Sequence, residues 1–397
     1  MRFPHGLCWR PWAAVVVALM GTCAMAQPVT SVLINPGDQG EQSRFSIYNE
    51  WKIVIEQALR KEKLTAVSVT QSADARADLS ATRSRIPDIF MAPAHIIGSA
   101  VRHGYTPVLG FDRPVRAVLV APKDSAVQNL AQAQGKHLGL PLQDSVVTYL
   151  VRGEVNAANT TIKRHFSAVY ETRYQDALLM CLQLRRCDVV AVERVVFDRW
   201  AAAGEPVKII METHTAPSLS VALKNGSRPG AEALRAALAD GMTAVPGAAG
   251  AKTVALTAKD FEYVSTLGYF TPRALPGATL IDAAGVAQLV KQKETYLIDT
   301  RNKDEFKVGH LPGAKLVPYV EKSAKDPDFD AKADQFDLGQ LPANKASTLV
   351  FSCNGPECWK SFKASDVAAK AGYTRVRWFR GGFPEWRDAG MPVDTGG

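Results

Sequence analysis

Cysteine is scarce in this sequence, six among 397 residues, and two of the six, Cys8 and Cys23, fall within the first 26. That is too few for a disulfide-held scaffold, so the fold must rest on apolar cores. Histidine is equally sparse: none of His5, His95, His103, His137, His165, His214 and His310 stands near another His or Cys at ligand spacing, so no metal site and no cofactor are expected. Basic residues outnumber acidic ones only 47 to 39, and no Lys/Arg block interleaved with aromatics occurs, so nucleic acid is not an expected partner. Beyond residue 26 no run approaches the roughly 18 apolar residues that a membrane-crossing helix requires.

What is present is ordinary globular composition, 47% hydrophobic and 22% charged, over a length that suits two or three domains rather than one core. Residues 1–26 read as an export signal. Arg2 and Arg10 supply the positive start, Trp12 to Gly21 is apolar, and Ala24-Met25-Ala26 offers a small-x-small cleavage site. The expectation is a periplasmic chain beginning at Gln27; an apolar run of about 10 residues is too short to span the bilayer. Lipid attachment at Cys23 is the alternative, and Thr22 immediately before that cysteine argues against it.

Four cysteines then remain, in two local pairs and an oxidising compartment. Cys181 and Cys187 flank Leu-Gln-Leu-Arg-Arg at the end of a helical pattern, and a chain that turns back there can close a small structural disulfide. The second pair, Cys353 and Cys358, lies far downstream. Between the two pairs the chain changes character at Thr271-Pro-Arg-Ala-Leu-Pro-Gly277, where two prolines interrupt helix and strand alike. We therefore read 27–271 as one domain of two lobes, 272–277 as a linker and 278–397 as another domain.

Upstream, short apolar runs (Val32 to Ile34, Asp88 to Met91, Ala117 to Ala121, His137 to Leu140, Asp188 to Val192, Ser220 to Leu223) alternate with helical stretches such as Ile47 to Lys61 and Thr172 to Leu184. That alternation predicts an α/β architecture. The strand ending in Ala92-Pro93-Ala94 carries His95 into the first turn of a helix, where free N–H groups favour an anion. Ser145 reads as the cap of a second such helix, with Thr148 and Tyr149 offering hydroxyls from its first turn. Each also has a plain structural reading: Ser145 only caps, His95 fills space, and Glu193 pairs with Arg194 or Arg199.

The runs Pro87 to His95, Thr148 to Glu154, Arg173 to Ala177 and Asp188 to Glu193 together resemble the type 2 periplasmic solute-binding proteins that capture phosphonate and related oxyanions for ABC transporters. The resemblance implies two α/β lobes with ligand in the cleft between them, lined by His95, Ser145, Thr148, Tyr149 and Glu193. It also implies a small anionic or sulfur-containing solute, and an ABC permease or membrane sensor as partner. Val146 and Val147 stand where phosphonate-gripping relatives carry hydroxyls, which leaves a sulfur oxyanion or organic acid equally compatible.

Downstream, an apolar strand Thr348 to Phe351 delivers Cys353 to the loop Asn354-Gly355-Pro356-Glu357, which runs on through Cys358 into a helix from Trp359. A cysteine facing a helix N-terminus is favoured as thiolate, and Lys360 adds positive charge nearby. Tyr296 to Arg301, Glu305-Phe306, Gly309 to Ala314, Gly381 to Trp386 and Gly390 to Val393 follow in an order that resembles a rhodanese domain, an α/β fold with a parallel sheet. The resemblance implies that Cys353 takes sulfur from a donor such as thiosulfate as a persulfide and passes it to a thiol. Asp299 and Arg301 would pin the loop, and His310 would serve its turn. No Arg occurs between Cys353 and Arg375, and Cys358 opens two alternatives, a thiol-redox pair or a stable disulfide.

Overall fold

In the computed structural model, which describes residues 29–64, 66–243 and 250–396, three separate sheets organise the chain. The expected signal at 1–26 lies outside the described residues. The first lobe opens with β1 (Thr30–Ile34), β2 (Val67–Gln71), β3 (Ile89–Ala92) and β4 (Tyr105–Phe111). The chain then builds the second lobe from β5 (Ala117–Pro122), β6 (His137–Pro141), β7 (Ala168–Thr172), β8 (Val189–Glu193) and β9 (Val207–Glu212), and returns to the first lobe with β10 (Ser220–Lys224) and β11 (Thr253–Ala255). The sheet orders are β11-β4-β10-β3-β1-β2 and β7-β6-β8-β5-β9. Each sheet mixes parallel pairs with antiparallel ones, the latter made by the strands that cross between lobes.

All six apolar runs singled out above are strands, and their burial explains why they are readable: β3 and β8 are buried at every position. The stretch Thr172 to Leu184 departs from the helical reading. Thr172 closes the edge strand β7, and helical backbone begins only at Gln175, continuing as Leu178–Gln183. The Thr172 hydroxyl donates to the Tyr174 carbonyl, a local bond that competes with helix. Cys181, inside this helix, is joined to Cys187 just beyond it, with Cα atoms 5.3 Å apart.

The third sheet, β12 (Ala278–Leu280), β13 (Thr295–Asp299), β14 (Lys315–Leu316), β15 (Thr348–Ser352) and β16 (Arg375–Phe379), runs β12-β16-β15-β13-β14 and is parallel throughout. Its central strand β15 is buried at all five positions, so helices must cover both faces. One of these is Trp359–Lys370 and another Gly382–Asp388. No described helix is long and apolar enough to cross a membrane.

Candidate active site

Cys353 follows the last residue of β15, and the loop after it is shaped by two glycines. Gly355 has φ +85°, a left-handed conformation open to glycine. Gly382, at φ +57°, lets the neighbouring turn close on the loop: a Cβ there would stand 2.1 Å from the Cys353 carbonyl oxygen, which instead accepts the Phe383 N–H at 2.8 Å. The loop ends at Cys358, the N-cap of the Trp359–Lys370 helix. Cys353 and Cys358 are joined in a disulfide, their Cα atoms 6.1 Å apart, with Cys353 1% and Cys358 5% exposed.

Asp299 and Arg301 reach this loop in series. The Arg301 guanidinium is fully buried and forked onto Asp299, with Nη2 2.7 Å from Oδ2, and its Nη1 donates to the Asn354 Oδ1 at 3.2 Å. The Asn354 amide donates onward to Glu305 at 2.7 Å and to Ser84 at 2.9 Å, while Ser80 also bonds Glu305. Ser80 and Ser84 belong to the Ala75–Ser84 helix of the first lobe. Loop and lobe thus share one buried polar cluster. His310 bonds the Phe306 carbonyl through Nδ1 at 2.9 Å and stacks on that ring, which holds its turn.

The rest of the loop is also held by the upstream domain. The Pro356 carbonyl accepts from the backbone N–H and the hydroxyl of Thr271, both at 2.8 Å, and Trp359 Nε1 donates to the Tyr269 carbonyl at 2.7 Å. Glu357 sits 3.8 Å from Arg83 and 3.9 Å from Arg102. A cavity of about 290 Å³ separates the Ala75–Ser84 helix from this loop, with Cys358, Trp359 and Lys360 on one wall and Ser80 and Arg83 on the other.

A larger cavity, about 580 Å³, opens between the two lobes, with His95 and Ser145 among its lining residues. His95 is buried and donates from Nε2 to the Asp144 carbonyl at 2.8 Å; burial pushes its pKa down to about 4, so it is neutral. Ser145 caps its helix at the Val147 N–H. Thr148 and Tyr149 stand elsewhere. The Thr148 hydroxyl donates to the carbonyls of Pro141 and Leu142, and Tyr149 is buried between the rings of His95 and Tyr269. A first-turn position alone could not reveal this, because side chains there divide between cleft and core.

Glu193 lines a separate interlobe cavity of about 220 Å³. Its partners are neither Arg194, which pairs with Asp198 and Glu212, nor Arg199, which pairs with Asp176. Instead Gln39 and Gln175 donate to its two oxygens at 2.8 and 3.0 Å, and Gln175 also donates to Asp38. The Gln39–Glu193 and Gln175–Asp38 bonds cross from lobe to lobe, while Gln175 and Glu193 belong to the same lobe. Burial, and then the Asp38 charge, raise the Glu193 pKa to about 7. The closed form therefore holds a proton that an exposed glutamate releases near pH 4.5. Closure is favoured at acidic pH and weakens as pH rises from there through about 7. Glu193→Gln should flatten this dependence in a pH series of interlobe distance; an unchanged slope would assign it to another group.

The rim of the lobe cleft comes from the downstream domain, whose residues Glu321, Lys322, Ser323 and Ala324 line it. Lys325 pairs there with Asp144, and Arg76 Nε reaches the other Asp144 oxygen at 3.3 Å while its Nη1 donates to the Glu321 carbonyl at 2.8 Å. Burial works against the Asp144 charge, but Lys325 and Arg76 override it and hold the carboxyl below its ordinary value. Three pieces of chain meet at this one carboxylate.

The family model of the ABC-transporter phosphonate periplasmic substrate-binding proteins matches residues 47–264, more than half the chain. This chain belongs to that family. The binding protein carries a second matched unit, a rhodanese-like domain over residues 282–389. Thiosulfate sulfurtransferase 18 of Arabidopsis thaliana is 32% identical over 119 residues, 29% of this chain and 82% of the relative. An HTH-type transcriptional regulator of Mycobacterium tuberculosis is 31% identical over 118 residues, and the chain spans 46% of that protein's length. Among solved structures, the binding protein component of a Pseudomonas aeruginosa phosphonate ABC transporter is 15% identical with a TM-score of 0.46, covering 61% of this chain and 85% of that one.

Ser80, Ser84, Arg76, Arg83, Asp144 and Lys325 were not singled out from sequence. The Ala75–Ser84 helix sends Leu79 into the apolar core, but Asp78, Ser80, Thr82, Arg83 and Ser84 on it are buried as well.

Proposed function

We propose that this chain is a periplasmic sulfurtransferase that forms a persulfide on Cys353, joined to a binding domain for a small anion or sulfur oxyanion. The observation that carries this reading is the placement of Cys353: it lies between the buried end of β15 and the N-terminus of a 12-residue helix, in a loop pinned through Asn354 by Arg301. Amides and helix dipole at that position favour thiolate over thiol.

The disulfide must open first. A thiolate from an external thiol attacks the Cys358 sulfur, which lies on the cavity wall, and the S–S electron pair leaves on Cys353; a second thiol then frees Cys358 as the external disulfide forms. The Cys353 thiolate attacks the outer sulfur of thiosulfate. Its S–S bond breaks with the electron pair going to sulfite, and Cys353 becomes a persulfide. An acceptor thiolate takes the terminal sulfur and returns Cys353 as thiolate. Sulfurtransferase relatives of the rhodanese domain support this chemistry.

The Cys353–Cys358 disulfide itself favours a second reading, a thiol oxidoreductase in which that bond is the working group. Intact-mass analysis of the reduced full-length protein after brief thiosulfate exposure separates the two. A gain of about 32 Da that cyanide removes supports sulfur transfer. No gain, with ready cycling of the disulfide, supports redox exchange. For the upstream domain we propose delivery of solute to an ABC permease or membrane sensor.

A further inference from the structure

The cavity beside Cys358 contains an arginine with a buried, unmet donor. Arg83 is 5% exposed, yet among the described residues no hydrogen bond reaches its guanidinium, and its Nε is buried without a partner. Glu357 Oε2, 3.8 Å from Nη1, is too far for a hydrogen bond and is shared with Arg102. A guanidinium carries five donors, and burying even one of them unmet costs its desolvation. Such a group is retained where something outside the protein completes it.

The surroundings say what that is. Lys360, on the opposite wall, makes no salt bridge within 4 Å among the described residues, although its charge acts on Glu305. The Trp359–Lys370 helix opens here with an N-cap, Cys358, whose side chain caps no amide, so the positive end of the helix dipole is unopposed by a side chain. Two cations and a helix N-terminus converge beside the cysteine pair, in a loop that has no arginine of its own.

We propose that Arg83, from the solute-binding domain, is the oxyanion-gripping cation of the rhodanese site, so that the sulfur donor binds in a chamber built jointly by the two domains. This rests on the persulfide reading above. The ligand class is a small, doubly negative sulfur oxyanion: its oxygens meet the planar fork of Arg83 and the Lys360 ammonium, and its outer sulfur points toward Cys358 on the wall, to which Cys353 is bonded just outside the cavity lining. As the donor's S–S bond breaks, the pair that moves onto sulfite develops charge against Arg83. Glu357 competes for the same guanidinium.

Titration of thiosulfate into full-length Cys353→Ser protein reads binding without chemistry. Adding Arg83→Met is expected to weaken affinity about tenfold or more, as loss of a charge-assisted bidentate contact does, and Arg83→Lys to restore part of it. Glu357→Gln, which keeps Arg83 and removes its competitor, is expected to tighten binding several-fold and guards against a misfolded Arg83 variant. Affinity unaffected by both changes, or no binding to protein with Arg83 intact, overturns the proposal. Arg83-dependent binding without any persulfide in the wild-type protein would keep the anion site and remove the sulfur-transfer reading instead.

Discussion

Cys353→Ser is expected to lower thiosulfate-dependent sulfur transfer by about three orders of magnitude or more, as removal of a covalent nucleophile does, while Cys358→Ser keeps it and frees it from any need for reductant. The asymmetry comes from position. Cys353 follows the buried central strand and is 1% exposed, whereas Cys358 caps the helix and lines the cavity through which an external thiol arrives. With the disulfide intact neither sulfur is a nucleophile, so the wild-type protein should be silent until reduced and Cys358→Ser should be active under the same oxidising conditions. Turnover with and without dithiothreitol, on the three proteins side by side, checks this. If Cys358→Ser is as inactive as Cys353→Ser, both sulfurs are required, and the pair is a dithiol–disulfide couple rather than a nucleophile with a lock.

How much of this was legible beforehand follows burial. Strands such as β3, β8 and β15, buried at every position, announce themselves as apolar runs. The edge strand β7 does not: it alternates no apolar face, being exposed at Val169 and Tyr170. Cys353 and its loop stood out because an apolar strand, a turn and a helix follow one another in sequence. The chamber around them did not, because Arg83 is 270 positions from Cys353 and sits on a helix whose composition mimics a solvent face. A polar helix is buried only when another polar surface meets it, and Glu305 and Asn354 are that surface. Sequence periodicity reports apolar burial and is blind to such pairing. The same blindness affected the cleft: the plain structural reading pairs Glu193 with a nearby arginine, whereas Gln175 from its own lobe and Gln39 from the other are its partners.

Asp144→Asn is expected to loosen the two domains, with a loss of about 3 kcal/mol in stability. The carboxylate is buried and holds Lys325, itself buried, on one oxygen and Arg76 on the other. Neutralising it leaves buried Lys325 without its anion and Arg76 with Glu321 alone, which is costlier than never having had the pair. Arg76 retains some solvent access, which limits the loss. The sign with pH follows from the depressed Asp144 pKa: its contribution is complete above the ordinary carboxylate range and disappears as pH falls through the lowered value. Thermal unfolding, with small-angle scattering to read domain separation, checks both, and Asp198→Asn serves as control because its exposed pair with Arg194 should be worth at most about 1 kcal/mol. Equal effects of the two variants would show that docking rests on the contacts around the Cys353 loop and not on Asp144. If Asp144→Asn separates the domains, the consequence reaches the chemistry. Asp144 lines the lobe cleft, and the helix that carries its partner Arg76 in the first turn ends at Arg83 and Ser84, against the Cys353 loop. A solute that alters the cleft wall at Asp144 would thereby alter the docking of the one helix that closes the sulfur site.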